Sequence, residues 1–240
     1  MLYARGAFAN AAMQWKEDQQ ANLIQLTIIQ QDLPSIHMVT EAGIIGKIGF
    51  NSAGVGVCFN AIRAKGLDKN RMPSHLGLRL ALESPSVEAA VNSLEEIGMA
   101  SSAHILIGDG TTAIGLEFTS TTFARLTLKD EGPGFVAHTN HMLLHHPNIY
   151  EPTWLKDSPV RLKTMESNIA QATDMSWATF SGLFEDETNY PCAINRAAKD
   201  GGDSATLFNI VMDLKEKKAV VKIGRPVRGD NSVQQVNLAF

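Results

Sequence analysis

The chain has two cysteines in 240 residues, Cys58 and Cys192. That is too few for a disulfide framework, so a reducing compartment is expected. No apolar run approaches the roughly 18 residues of a membrane-spanning helix, and the first fifteen residues lack the apolar centre of a secretory signal. Charge of one sign is also missing: 21 Lys and Arg stand against 25 Asp and Glu, a net charge of −4, and the densest basic group (Lys215, Lys217, Lys218) falls in a turn. Nucleic acid and anionic membrane both require a basic face, so neither is expected as a partner. The final residues, Asn237-Leu238-Ala239-Phe240, are not a peroxisomal address, and a cytoplasmic location is the expectation. Internal repeats, low-complexity tracts and linkers are absent as well.

What is present is densest between Glu41 and Arg63, where glycines at 43, 46, 49, 54 and 56 alternate with Ile, Val and Phe. Two buried strands are expected there, Ile44–Phe50 and Val55–Phe59, joined by the turn Asn51-Ser52-Ala53-Gly54. Glycines inside strands weaken them, so their number implies the close approach of another backbone or a ligand. Leu23–Gln30 and Ile36–Thr40 read as two preceding strands, whereas residues 1–21 show no period. These 21 residues are expected to be an irregular segment ahead of one domain, 22–240.

Downstream, Leu76–Glu83 has helical composition, and Val87, Ala90, Val91, Leu94 and Ile97 repeat at helical spacing between the cap Ser84-Pro85 and Gly98. Ala103–Gly108 and Ala113–Phe118 form a hairpin which, with Thr122–Leu128 and Gly134–Thr139, is expected to build a second antiparallel sheet. An irregular loop at 140–158 leads to helices at about 159–171 and 175–184, capped by Ser158 and Asp174, and Thr206–Asp213 and Ala219–Gly224 close a last hairpin. The fold class is α+β, two antiparallel sheets with helices outside.

Three places carry polar chemistry. His138, His141, His145 and His146 crowd the end of one strand, but their spacing fits neither one helix turn nor a zinc finger. Hydrogen-bonding roles are expected for them, with no metal and no cofactor. Asn140 among them suits a developing oxyanion. Arg196 ends the loop Glu187–Arg196, and its planar fork suits a substrate carboxylate. Cys192 has no base beside it in sequence, and Met1 offers no nucleophile for chemistry at a chain start.

Several blocks, in order, resemble one family: EAGIIGKIGFNSAGV (41–55), Pro73-Ser74-His75, Gly115-Leu116-Glu117-Phe118, His138-Thr139-Asn140-His141, Asn189-Tyr190-Pro191 and Ala205-Thr206-Leu207-Phe208-Asn209-Ile210. They are similar to the fungal isopenicillin-N acyltransferases, a cysteine-peptidase-like family of N-terminal-nucleophile hydrolases. The resemblance implies a four-layer αββα sandwich and transfer of an acyl group from a thioester or amide to an amine or water, in secondary metabolism. It also implies an oxyanion-hole role for Asn140, and catalytic support and carboxylate binding for Arg196.

Its substrates would be a small amide or an acyl-coenzyme A, and its protein partner a separate smaller subunit or a second copy of the chain. The family's Gly-Cys-Thr junction has no counterpart here, since Gly6 precedes Ala7, and no nucleophile is identified. The family's Gln-Asn-Trp-Asp segment is replaced by Ala11-Ala12-Met13-Gln14 before Trp15. Two other functions remain open: a metabolite-binding or partner subunit without catalysis, and a catalytic use of Cys192 with Arg196 or a histidine.

Overall fold

In the computed structural model, which describes residues 1–4, 8–128, 134–199, 202–227 and 233–240, the chain forms strands and helices in the following order. It opens with β1 (Leu2–Ala4), β2 (Phe8–Lys16), β3 (Leu23–Ile28), β4 (Ile36–Glu41), β5 (Ile48–Asn51) and β6 (Gly56–Ala61). Helices α1 (Ser74–Leu82) and α2 (Val87–Ile97) precede β7 (Ala103–Gly108), β8 (Ala113–Phe118), β9 (Phe123–Thr127) and β10 (Phe135–Ala137). Then come α3 (Ser158–Gln171), α4 (Trp177–Gly182), β11 (Ser204–Asp213), β12 (Lys218–Ile223) and β13 (Gln235–Ala239).

The strands pair antiparallel into two sheets, ordered β10-β1-β2-β11-β12-β13 and β3-β4-β5-β6-β7-β8-β9. Three apolar layers hold them. Tyr3, Phe50, Cys58, Leu106, Phe208 and Ile210 pack between the sheets. Leu78, Val91, Leu94, Ile105 and Leu116 join α1 and α2 to the seven-stranded sheet, and Leu2, Leu162, Phe180 and Val211 join α3 and α4 to the six-stranded one. Helix, sheet, sheet, helix is the αββα sandwich that the resemblance implied.

Two expectations are corrected. Residues 2–4 and 8–16 are strands of the six-stranded sheet rather than irregular chain. Leu2, Tyr3 and Ala4 are all buried, and β2 lies between β1 and β11, so these strands show no apolar–polar alternation to read. The Gly6-Ala7 junction lies outside the described residues.

The strands at 103–127 also do not begin a second sheet. They extend the first, with Cys58 opposite Leu106 in the β6–β7 pair. A hairpin pattern shows which strands are consecutive but not which sheet they join, and here α1 and α2 cross one face before the chain returns beside β6. Of the strands expected at 103–139, only β10 enters the other sheet. The last strand, β13, carried no expectation.

The glycine-rich hairpin forms as expected, with β5 starting at Ile48 because 42–47 is a turn. Asn51 is its tie. Its Oδ1 accepts from Ala53 N and Val55 N (3.0 and 2.9 Å), and its Nδ2 donates to the Leu82 and Ser84 carbonyls at the end of α1. Gly49 answers the question of close approach: a Cβ there would lie 2.1 Å from the His37 carbonyl oxygen, so a neighbouring strand, not a ligand, requires it. Among the described residues no helix is long and apolar enough to cross a membrane.

Candidate active site

A cavity of about 800 Å³ is lined by Met1 ahead of β1, Gln14 of β2, the end of β6, Asn140 beyond β10, Arg161 of α3 and Arg196. The β1–β10 pairing brings its first elements together. Met1 N donates to the His138 carbonyl at 2.9 Å, and His138 N donates to that of Met1 at 3.1 Å. The next turn of chain is fixed from α3, where Ser158 Oγ accepts from Asn140 N at 2.7 Å. Ser158, expected as a helix cap, is therefore a clamp on this loop, and no side-chain cap bond forms at that helix start.

The Asn140 amide has both ends defined. Its Oδ1 accepts from Arg161 Nη2 at 2.9 Å, and its Nδ2 donates to the Ala61 carbonyl at 3.1 Å. A guanidinium can only donate, so the amide orientation follows from its partners, and among the described residues one N–H of Nδ2 has no partner. Arg161 is in turn held by Asp157 Oδ2, 2.6 Å from its Nε. The same Asp157 oxygen accepts from Arg196 Nη2, and Arg196 Nε donates to Gln14 Oε1 at 3.3 Å. One carboxylate thus ties two arginines, one behind Asn140 and one in the cavity wall. Burial pushes the Asp157 carboxyl up, but the charge and hydrogen bonds of Arg161 and Arg196 outweigh it and hold the group below its ordinary value.

Beneath the loop lies a second carboxylate, Glu117 of β8. It accepts from His138 Nε2 (2.8 Å), His146 Nε2 (3.2 Å), Leu143 N (2.6 Å) and Leu144 N (3.0 Å). Burial raises its pKa, and the bonds from His138 and the two backbone N–H groups more than offset that, so it stays below its ordinary value. His104 stacks on His138 with ring centres 3.6 Å apart, and among the described residues neither of its ring nitrogens has a hydrogen-bond partner. Gly115 makes room for that ring, since a Cβ there would sit 2.6 Å from His104 Nε2. The hydrogen-bonding role expected for His138 and His146 is what the structure shows. No group of three metal-ligating side chains occurs among the described residues.

Asn140 and Arg196, singled out in the sequence, are brought into one cavity. Cys58 is not: it lies in the core between the sheets, where burial pushes its thiol up to about 12. Cys192 Sγ lies 3.9 Å from Arg196 Nη1, and no cysteine lines the cavity.

Sequence reasoning missed Asp157 and Arg161, and it named Glu117 and Gln14 without a role, one in a resembling block and the other in a replaced segment. The i, i+4 spacing of Asp157 and Arg161 was a readable signal. Glu117 gave none, because it sits in a strand whose every residue is buried.

Residues 14–228 match the profile of the family described as acyl-coenzyme A:6-aminopenicillanic acid acyl-transferase. The acyl-coenzyme A:6-aminopenicillanic-acid-acyltransferase 40 kDa form of Emericella nidulans is 47% identical over 214 residues, which is 88% of this chain and 59% of that protein. The chain therefore spans about three-fifths of that relative's length.

Among solved structures, the N-acylethanolamine-hydrolyzing acid amidase orthologue of Caenorhabditis elegans superposes with a TM-score of 0.62 at 14% identity, over 89% of this chain and 92% of that one. Penicillin V acylase from Agrobacterium tumefaciens does so at 0.61 and 13%, over 100% and 77%. At such identities these two structures speak for the fold alone. With the sandwich built and most of its length matched, the chain belongs to the acyl-coenzyme A:6-aminopenicillanic acid acyl-transferase family.

Proposed function

We propose that the cavity is an acyl-transfer site, in which an acyl group passes from a thioester or amide to an amine or water. The observation that carries this reading is the Asn140 amide. It is oriented by Arg161 and Ala61 so that, among the described residues, one N–H stays unspent, in a cavity that Met1, the residue leading into β1, also lines. A donor fixed in advance stabilises an oxyanion without reorganising, an effect worth about 10²–10³ in rate where it has been removed. Arg196, steadied by Asp157 and Gln14, supplies a cation for a substrate carboxylate. The family's printed donor and acceptor, an acyl-coenzyme A and 6-aminopenicillanic acid, are the substrates to try first.

A second reading, binding without turnover, is favoured by one residue of the cavity wall, Gln14. Gln14, an amide that cannot act as a base, stands where the resemblance places an aspartate. Titration with 6-aminopenicillanic acid and a short acyl-coenzyme A separates the two. The expected result is saturable binding that is weakened in Arg196→Leu, together with release of coenzyme A and an N-acyl product. Binding without product supports the second reading, and absence of binding overturns both.

A further inference from the structure

One cation in the cavity wall is unlike the others. Among the described residues Arg71, Arg79, Arg125, Arg161, Arg196 and Arg225 each reach a carboxylate. Arg63, just beyond β6, reaches none of them. It lies instead over the Trp154 indole, 4.1 Å from the ring centre, and both residues line the cavity. Two residues on, Lys65 repeats the arrangement, with its Nζ 5.0 Å from the centre of the Tyr150 ring and no carboxylate partner among the described residues. Both cations are exposed, as is Tyr150 at 61%, and the second pair does not line the cavity. The two pairs therefore form a ladder that runs from the cavity wall to open surface.

Backbone bonds hold this rim in shape. Lys65 N donates to the Tyr150 carbonyl at 2.9 Å, and Ala64 N donates to Ser102 Oγ at 3.0 Å, whose hydroxyl donates to the Ile62 carbonyl at 2.9 Å. Rings and cations are thus set before a ligand arrives, so little ordering remains for binding to offset. Stacking leaves the guanidinium N–H groups open at its edges, and Arg63 can still meet a phosphate with two parallel bonds. Lys65 adds a point charge two residues on, at most about 7 Å further along the chain. Two cations at that interval suit linked phosphates, and the exposed tyrosine ring beside them offers a face to an aromatic base. The carboxylate next to Tyr150, that of Glu151, is already engaged, accepting from Met142 N at 3.0 Å.

We infer that Arg63, Lys65 and Tyr150 form a nucleoside-diphosphate site at the mouth of the cavity, with the phosphates on the two cations and the base against Tyr150. Trp154 is the platform that fixes Arg63. An acyl donor carried on such a group then enters acyl end first and is held by its far end. The site stands on the geometry of the rim. Its use by a donor rests on the acyl-transfer reading above, and separates donors that carry a nucleotide from those that do not.

Calorimetric titration of the whole chain with ADP, pyrophosphate and adenosine tests the site, and coenzyme A against pantetheine tests its use. ADP is expected to bind more tightly than either fragment. Coenzyme A should bind about tenfold tighter than pantetheine, roughly the effect of one charge-assisted contact. Arg63→Gln combined with Lys65→Gln, both on exposed side chains, should remove that advantage and weaken ADP about tenfold, while 6-aminopenicillanic acid, which has no phosphate, stays within about twofold.

Failure of ADP to bind overturns the site, as does ADP binding that survives the double substitution. A parallel loss of 6-aminopenicillanic acid affinity would place the two cations in the acceptor's site and also overturns it. ADP binding by a chain that transfers no acyl group refutes the activity and leaves the site standing. Acyl transfer from acyl-coenzyme A and acyl-pantetheine with equal kcat/KM refutes the donor's use of the site and leaves the activity standing.

Discussion

Two carboxylates flank the loop between β10 and α3, and they do different work. Glu117, fully buried in β8, is saturated by two histidines and two backbone N–H groups and does not line the cavity. Asp157, with its side chain 16% exposed, gathers two arginines whose other donors face Asn140 and the cavity. One therefore fixes where the loop is, and the other fixes what the loop presents. A charge whose partners are all internal contributes to the fold, while a charge whose partners have bonds to spare contributes to a site.

Substitutions at the two should separate stability from binding. The largest loss of stability is expected for Glu117→Ala, which strands two buried histidines and two N–H groups: about 3–5 kcal/mol by urea unfolding. A loss below about 1 kcal/mol, no more than an ordinary hydrogen bond, would show that the network is replaceable. Asp157→Asn should cost less, about 1.5–3 kcal/mol, because solvent reaches that site and the arginines stay charged. Its larger effect should be on ligand affinity through Arg196, about tenfold weaker for 6-aminopenicillanic acid in titration. Equal effects of the two substitutions on binding would erase the distinction between them.

The smallest and most specific effect is on pH dependence. His104 is held well below its ordinary 6.5, chiefly by burial and then by the neighbouring His138. Folded chains keep it neutral while unfolded chains protonate it, so its contribution is fully present above pH 6.5 and is lost as the pH falls below that value. The slope is about 1.4 kcal/mol per pH unit for one proton. Glu117, below its ordinary 4.5 when folded, adds a second loss only as the pH falls past 4.5. His75, His138 and His141 are also held below 6.5 and add slope of the same sign. His104→Phe, which keeps a flat ring over His138, should therefore reduce the slope of the stability profile between pH 6.5 and 5 without abolishing it, and should leave the acid limb below 4.5 in place. An unchanged profile would mean that His104 titrates normally.

The sequence made some of this legible for physical reasons. The partly exposed edge strand at 23–28 and the amphipathic helix at 87–97 declare themselves by pattern, and Asn51 and Gly54 declared their turn. Strands covered on both faces, β1 and β2 above all, offered no period, and pairing between strands far apart in sequence, such as β2 with β11, has no local signal. The same holds at the site. Asn140 and Arg196 were legible as residue types suited to oxyanion and carboxylate. Their dependence on Asp157 and Arg161 was not, because it arises only when α3 packs beside the end of β10.

If Asn140 and the position ahead of β1 frame one acyl-transfer site, supplying a nucleophile at that position should produce acyl transfer. At position 1 a chain-terminal α-amine is pushed down to about 5 by burial, so at neutral pH it is uncharged and able to take a thiol proton. Met1→Cys, with the substituted residue exposed by cleaving a leader, should be incubated with an acyl-coenzyme A and followed by intact mass. The expected result is one acyl group on the introduced thiol, transferred on adding 6-aminopenicillanic acid and much reduced when Met1→Cys is combined with Asn140→Ala. A folded Met1→Cys protein that binds the donor yet forms no adduct, or forms it equally well without Asn140, would contradict the claim.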